Sequence, residues 1–111
     1  MNIKIPIPQK VSTNAVYAGM HWSKRKDLAD LYHRCLVEHR DLRVKEYPVD
    51  VFYTFTFKGK MLDPSNTSFM QKMLEDGMVK LGILAGDTAK YISGIHIFVE
   101  KGVRDEVEIM L

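Results

Sequence analysis

The chain has 111 residues, 46% hydrophobic and 27% charged, which suits one globular domain over residues 1–111 and leaves no room for a second. Its one cysteine, Cys35, excludes an intramolecular disulfide and any multi-cysteine zinc site, and no apolar run nears the ~20 residues that span a bilayer. The formal net charge of +2 conceals a division: residues 1–45 hold nine Lys/Arg against four acids, a net +5, and residues 46–111 hold seven against ten, a net −3. A basic half beside an acidic half suits a polyanion-binding surface next to a cation site, although ordinary solvated charge reads the same way. The opening MNIKIPIPQK has two early prolines and no apolar h-region, so a soluble, cytoplasmic protein without a secretory leader is expected.

Ile3, Ile5 and Ile7 alternate with Asn2, Lys4 and Pro6, which predicts a short strand confined by Pro6 and Pro8 to an edge or an early end. From Gln9 to Trp22 no period is sustained, and Ser12, Thr13, Asn14 and Gly19 predict a long loop. Leu28, Leu31, Tyr32, Cys35, Leu36 and His39 then fall on one helical face, giving a first helix from Ser23 to near Arg40. Val49 to Phe57 alternates among strong β formers and predicts a strand. After the Lys58-Gly59-Lys60 turn, Ser68 and Gln71 fit a capping box for a second helix whose core face is Met70, Met73, Leu74, Gly77, Met78 and Leu81, ended by Gly82. Tyr91 to Glu100 is apolar on both faces, which predicts a central strand, and Gly102 turns the chain into a last strand from Glu106 to Leu111. The expected fold is α+β, in the order β-α-β-α-β-β, with two helices on a mixed four-stranded sheet.

On a helical wheel Lys72 shares the polar face of the second helix with Glu75 and Asp76, while Asp63 precedes that helix and Asp87 follows it, each in a turn-rich loop. Taken singly, each has a plain structural role. Asp63 before Pro64 opens a turn, and Lys72 with Asp76 is an ordinary i, i+4 pair. The four histidines show no zinc spacing, and there is no glycine-rich phosphate loop or nucleophile elbow.

Taken together they form a string: Leu62-Asp63-Pro64-Ser65-Asn66, then Lys72, Glu75-Asp76-Gly77, Gly82, Asp87 and Lys90-Tyr91-Ile92. This string resembles the RusA-type family of Holliday-junction resolvases, common in prophages. That family opens a helix on Asp-x-Asp-Asn, carries a lysine in its first turns, ends the helix on glycine and places an aspartate pair in the next loop. Pro6, Pro8, Ser12 and Asn14, with His21-Trp22-Ser23 before the first helix, are similar to its N-terminal part. Two positions depart: Ser65 and Gly86 stand where the family has acids.

The resemblance implies a Mg²⁺-dependent endodeoxyribonuclease, with Mn²⁺ as a substitute, that cuts four-way junctions and other branched DNA in a bacterial or phage-infected cell. It implies a homodimer, because a junction needs two symmetric cuts. Asp63, Lys72 and Asp87 would be catalytic, with Asp63 and Asp87 opening onto one cleft as metal ligands. Ser65, Asn66, Glu75 and Asp76 are further candidate ligands. Mg²⁺ takes oxygen donors, and carboxylate-held ions both activate water and offset charge on the leaving oxygen, which is why acids are needed at such a site. Asn14, Lys24, Arg25, Lys26, Arg34 and Arg40 would contact flanking phosphates and set position, not sequence. The alternative is a module that keeps the fold and binds branched DNA or a phage partner without cutting.

Overall fold

In a computed structural model describing residues 1–111, the elements run β1 (Asn2–Pro6), α1 (Thr13–Tyr17), α2 (Trp22–Leu36), β2 (Val49–Phe57), α3 (Ser68–Lys80), β3 (Ile92–Lys101) and β4 (Glu106–Met110). Single 3-10 turns follow α2 at Val37–His39 and precede α3 at Pro64–Thr67. The α+β class and the mixed four-stranded sheet are as expected, but three helices pack on it, not two. The additional one is α1, inside the stretch expected to be loop. Its five residues are too few to show a period, yet Ser12 caps it by accepting the Ala15 N–H, and Thr13 and Val16 are buried.

The sheet order is β1-β4-β2-β3, antiparallel except for the parallel β2/β3 pair. Alternation fixes which side is core. Val51, Tyr53, Phe55 and Phe57 of β2 are fully buried, and their neighbours on β4 are Val107 and Ile109, which in turn sit beside Ile5 and Ile3 of β1. Each such side chain contributes about 1.5–3 kcal/mol when removed from water. The helices cover this face with Leu28, Tyr32 and Leu36 from α2 and Met70, Met73, Leu74 and Met78 from α3. The opposite face presents Lys4, Phe52, Thr54, His96, Phe98 and Glu108, with Phe52 and His96 stacked at 4.5 Å.

The expected central position of the Tyr91–Glu100 strand is wrong. β3 is an edge strand paired to β2 alone, and Ile95 and Phe98 are 45% and 53% exposed. Two apolar faces do not fix lateral order, which long-range pairing decides. Here the chain leaves β3 at Gly102, whose N–H donates to the Phe57 carbonyl, and crosses the end of β2. Asp105 accepts the Lys58 N–H there, which delivers β4 to the other side of β2. No helix of the chain is long and apolar enough to cross a membrane.

The Ser68/Gln71 capping box is also corrected. Ser68 Oγ lies 3.0 Å from Thr13 Oγ1 and 3.1 Å from the Ser65 carbonyl, while Gln71 turns inward and donates to Glu75. The Phe69 N–H is satisfied by Thr13 Oγ1 from α1, so the cap is tertiary and leaves no local signature. The C-terminal expectation holds. Gly82 has φ +79°, and the N–H groups of Ile83 and Leu84 return to the Met78 carbonyl.

Candidate active site

Lys72 stands on the second turn of α3, with Glu75 and Asp76 three and four residues on, so helical geometry alone brings these three together. The loop after α3 then folds back and adds Asp87. The Lys72 ammonium lies 3.3 Å from Glu75, 3.2 Å from Asp76 and 3.0 Å from Asp87. One carboxylate oxygen from each acid falls in a group whose members all lie within 4.8 Å of one another. Glu75, Asp76 and Asp87 could together hold a metal ion, at the place where each is now paired to Lys72.

The three acids differ in surroundings. Asp76 and Asp87 are open to water, whereas the Glu75 side chain is 4% exposed, contrary to its expected place on a solvated polar face. Beneath it, Gln71 Nε2 donates to Glu75 Oε1 at 3.1 Å, and the buried Tyr53 hydroxyl, projecting from β2, has no hydrogen-bond partner. Burial raises the Glu75 pKa, and hydrogen bonding and attraction from Lys72 only partly offset this. Asp87 is shifted the other way, because Lys72 donates to it and attracts its charge. The same three acids, led by Asp87, hold Lys72 firmly protonated. Burial likewise raises the Tyr53 hydroxyl.

The residues of the 62–66 motif shape the turn that leads into α3. Asp63 is exposed, opens the 3-10 turn, and accepts the Asn66 N–H on its backbone carbonyl; its carboxylate makes no hydrogen bond or ion pair and is not one of the clustered acids. Asn66 accepts the Asn14 N–H on its side chain at 2.9 Å and the Thr13 hydroxyl on its carbonyl at 3.1 Å. Asn14 and Asn66 thus tie α1 to the turn before α3. Ser65 contributes its carbonyl to Ser68. At Gly86 the departure has a steric reason: a Cβ there would meet the Tyr91 ring at 2.5 Å, so an acid at 86 would require Tyr91 to move.

The basic residues of α2 do not form one patch. Arg25 shares a groove with Tyr17, Phe69 and Lys72. Lys24 and Arg34 line a second groove with Asp27, and Lys26 is exposed. Arg40 lies beyond the helix, donating to the Val37 carbonyl at 3.0 Å. Glu75, Gln71 and Tyr53 are the participants whose surroundings the sequence did not disclose. The available signal was a tyrosine on the inward face of an otherwise apolar strand. No family model matches the chain, and no curated protein matches it.

Proposed function

We propose that the chain is a Mg²⁺-dependent endodeoxyribonuclease that cuts four-way junctions and related branched DNA as a homodimer in the cytoplasm of a bacterial or phage-infected cell. The observation that carries the reading is the contact of Lys72 with Asp87, 3.0 Å apart across 15 residues of sequence, because it puts a loop acid on the helix acids. The donor set fits the ion. Carboxylate oxygens are hard ligands, and two oxygens on one Mg²⁺ lie at most ~4.2 Å apart at its usual bond lengths. The exposed Asp76 and Asp87 side chains can close the 4.8 Å group by small rotations. Glu75 replaces the acid absent at Ser65, and Mn²⁺ would serve in place of Mg²⁺.

A bound divalent ion supplies the Lewis acid that activates water and offsets charge on the leaving oxygen. The chain's residues do the remainder. Lys72, 53% exposed, is free to swing from the acids toward the scissile phosphate, where its charge counts most as negative charge develops. The Gln71–Glu75 bond holds one ligand in a fixed rotamer. The rival reading, a module that binds branched DNA or a phage partner without cutting, draws on Ser65 and Gly86 and on the absence of Asp63 from the group of clustered acids.

The test is incubation of a synthetic four-way junction with the protein and Mg²⁺, with linear duplex as control. Cleavage of the junction is expected, and Lys72→Ala should lower its rate by about 10²-fold while binding survives, since the lost interaction strengthens in the transition state. A parent protein that binds the junction and leaves it whole in both Mg²⁺ and Mn²⁺ sinks the nuclease and establishes the binding module.

A further inference from the structure

Tyr17 closes α1 and Trp22 opens α2, on either side of a turn in which Gly19 has φ +122°. They are 80% and 65% exposed, although the chain buries other large aromatics completely. Exposed aromatics scattered singly need no explanation, but Tyr17 lines a groove with its own chemistry and Trp22 lies one helical turn before Arg25 of that groove. Tyr17 forms one wall of a groove of about 420 Å³ that runs to Lys72 and has the half-buried Phe69 and Arg25 on its sides. That volume lies in the ~300–1,000 Å³ range of sites for small organic groups. The groove is lined by two cations and no acid. Arg25 makes no ion pair and no side-chain hydrogen bond, and Trp22, three residues earlier in the helix, shares its face.

Flat apolar rings beside the unpaired Arg25 match an unpaired stretch of a DNA strand, whose bases stack on aromatics while a phosphate meets the cation. Duplex DNA offers only the phosphates, because its bases are already stacked. We infer that Tyr17 and Trp22 form a stacking platform for unpaired nucleotides and that Arg25 holds the adjoining phosphate, so the strand is led along the groove toward Lys72. The inference rests on the nucleic-acid reading and adds the structural feature recognised: unpaired bases at a branch, flap or gap.

Trp22 is the only tryptophan, so its emission reports on the platform directly. The intact protein is titrated with a short oligothymidylate and with duplex of equal length, following Trp22 emission and the anisotropy of a labelled strand. Quenching is expected with the single strand and not with the duplex. Tyr17→Ala and Trp22→Ala should each weaken single-strand binding about 5- to 150-fold and leave duplex affinity within twofold. Single-strand binding without quenching, equal losses for both DNAs, or no binding to oligothymidylate overturns the platform. Junction cleavage in Mg²⁺ is scored separately. Cleavage with unchanged Trp22 emission removes the platform and keeps the nuclease, whereas quenching without cleavage keeps the platform and removes the nuclease.

Discussion

Glu75 is the residue at which stability and chemistry oppose each other. Its pKa is raised in the folded chain above the ordinary 4.5, because burial outweighs the attraction of Lys72. An acid raised in this way favours folding below its unfolded pKa and loses that contribution as pH rises through its folded one. At pH 7 an ionised Glu75 therefore costs stability. Glu75→Gln keeps the shape and removes the charge, so thermal melts at pH 7 should show Tm rising by a few degrees, with the gain gone below pH 4.5. The same variant should lose divalent-ion binding. Asp87 has the opposite sign: its pKa is lowered from 3.8, so its contribution is present at neutral pH and fades only as pH falls below that value. A Glu75→Gln protein that melts lower than the parent at pH 7 would show that the ion pair with Lys72 outweighs burial. A buried acid that opposes folding is the kind of residue kept for its chemistry.

At the scale of elements, α2 and α3 approach closely because α3 has no side chain at Gly77. A Cβ there would lie 2.7 Å from Leu36 Cδ1 and 2.8 Å from His33 Cδ2. Ala in place of Gly inside a helix gains about 1 kcal/mol of propensity, and overpacking costs about 1–3 kcal/mol. Leu36 is fully buried and cannot retreat into water, so overpacking wins. Gly77→Ala should lower the denaturant midpoint at unchanged m-value, by up to about 2 kcal/mol in unfolding free energy. Period made β2 and the core faces of α2 and α3 legible, since Val51, Tyr53, Phe55, Leu28, Tyr32, Met70 and Leu74 repeat at spacings that only one geometry satisfies. What period could not reach was set by distant partners. Thr13 caps α3 from 56 residues away, and β4 lies between β1 and β2 because of the crossing at Gly102–Asp105. The site divides in the same way. Lys72 with Asp76 follows from helical spacing, whereas the arrival of Asp87 depends on a loop that no local pattern describes and the burial of Glu75 on the packing of α3 in the fold.

For the whole molecule, α2 carries Lys24, Arg25, Lys26 and Arg34 from the basic half of the sequence and packs against the helix that bears Glu75 and Asp76, so some of those cations lie near the acids without forming one surface. The cations of the basic half are not equivalent. Arg25 faces the groove that ends at Lys72, while Arg40 lies beyond the far end of α2 and is engaged with the Val37 carbonyl. If phosphates enter beside Lys72, Arg25 neutralises one of them and Arg40 does not. Each neutralised phosphate releases condensed counterions and steepens log affinity against log salt by ~0.9 for duplex arms. Junction binding measured from low to moderate salt should therefore lose about one unit of slope in Arg25→Ala, and almost none in Arg40→Ala. Lys24→Ala and Arg34→Ala, which alter the second groove, separate a footprint confined to the Lys72 side from one that wraps α2. Equal loss of slope from Arg25 and Arg40 would mean that the basic half acts as a diffuse field, without a path that delivers a strand to the acids.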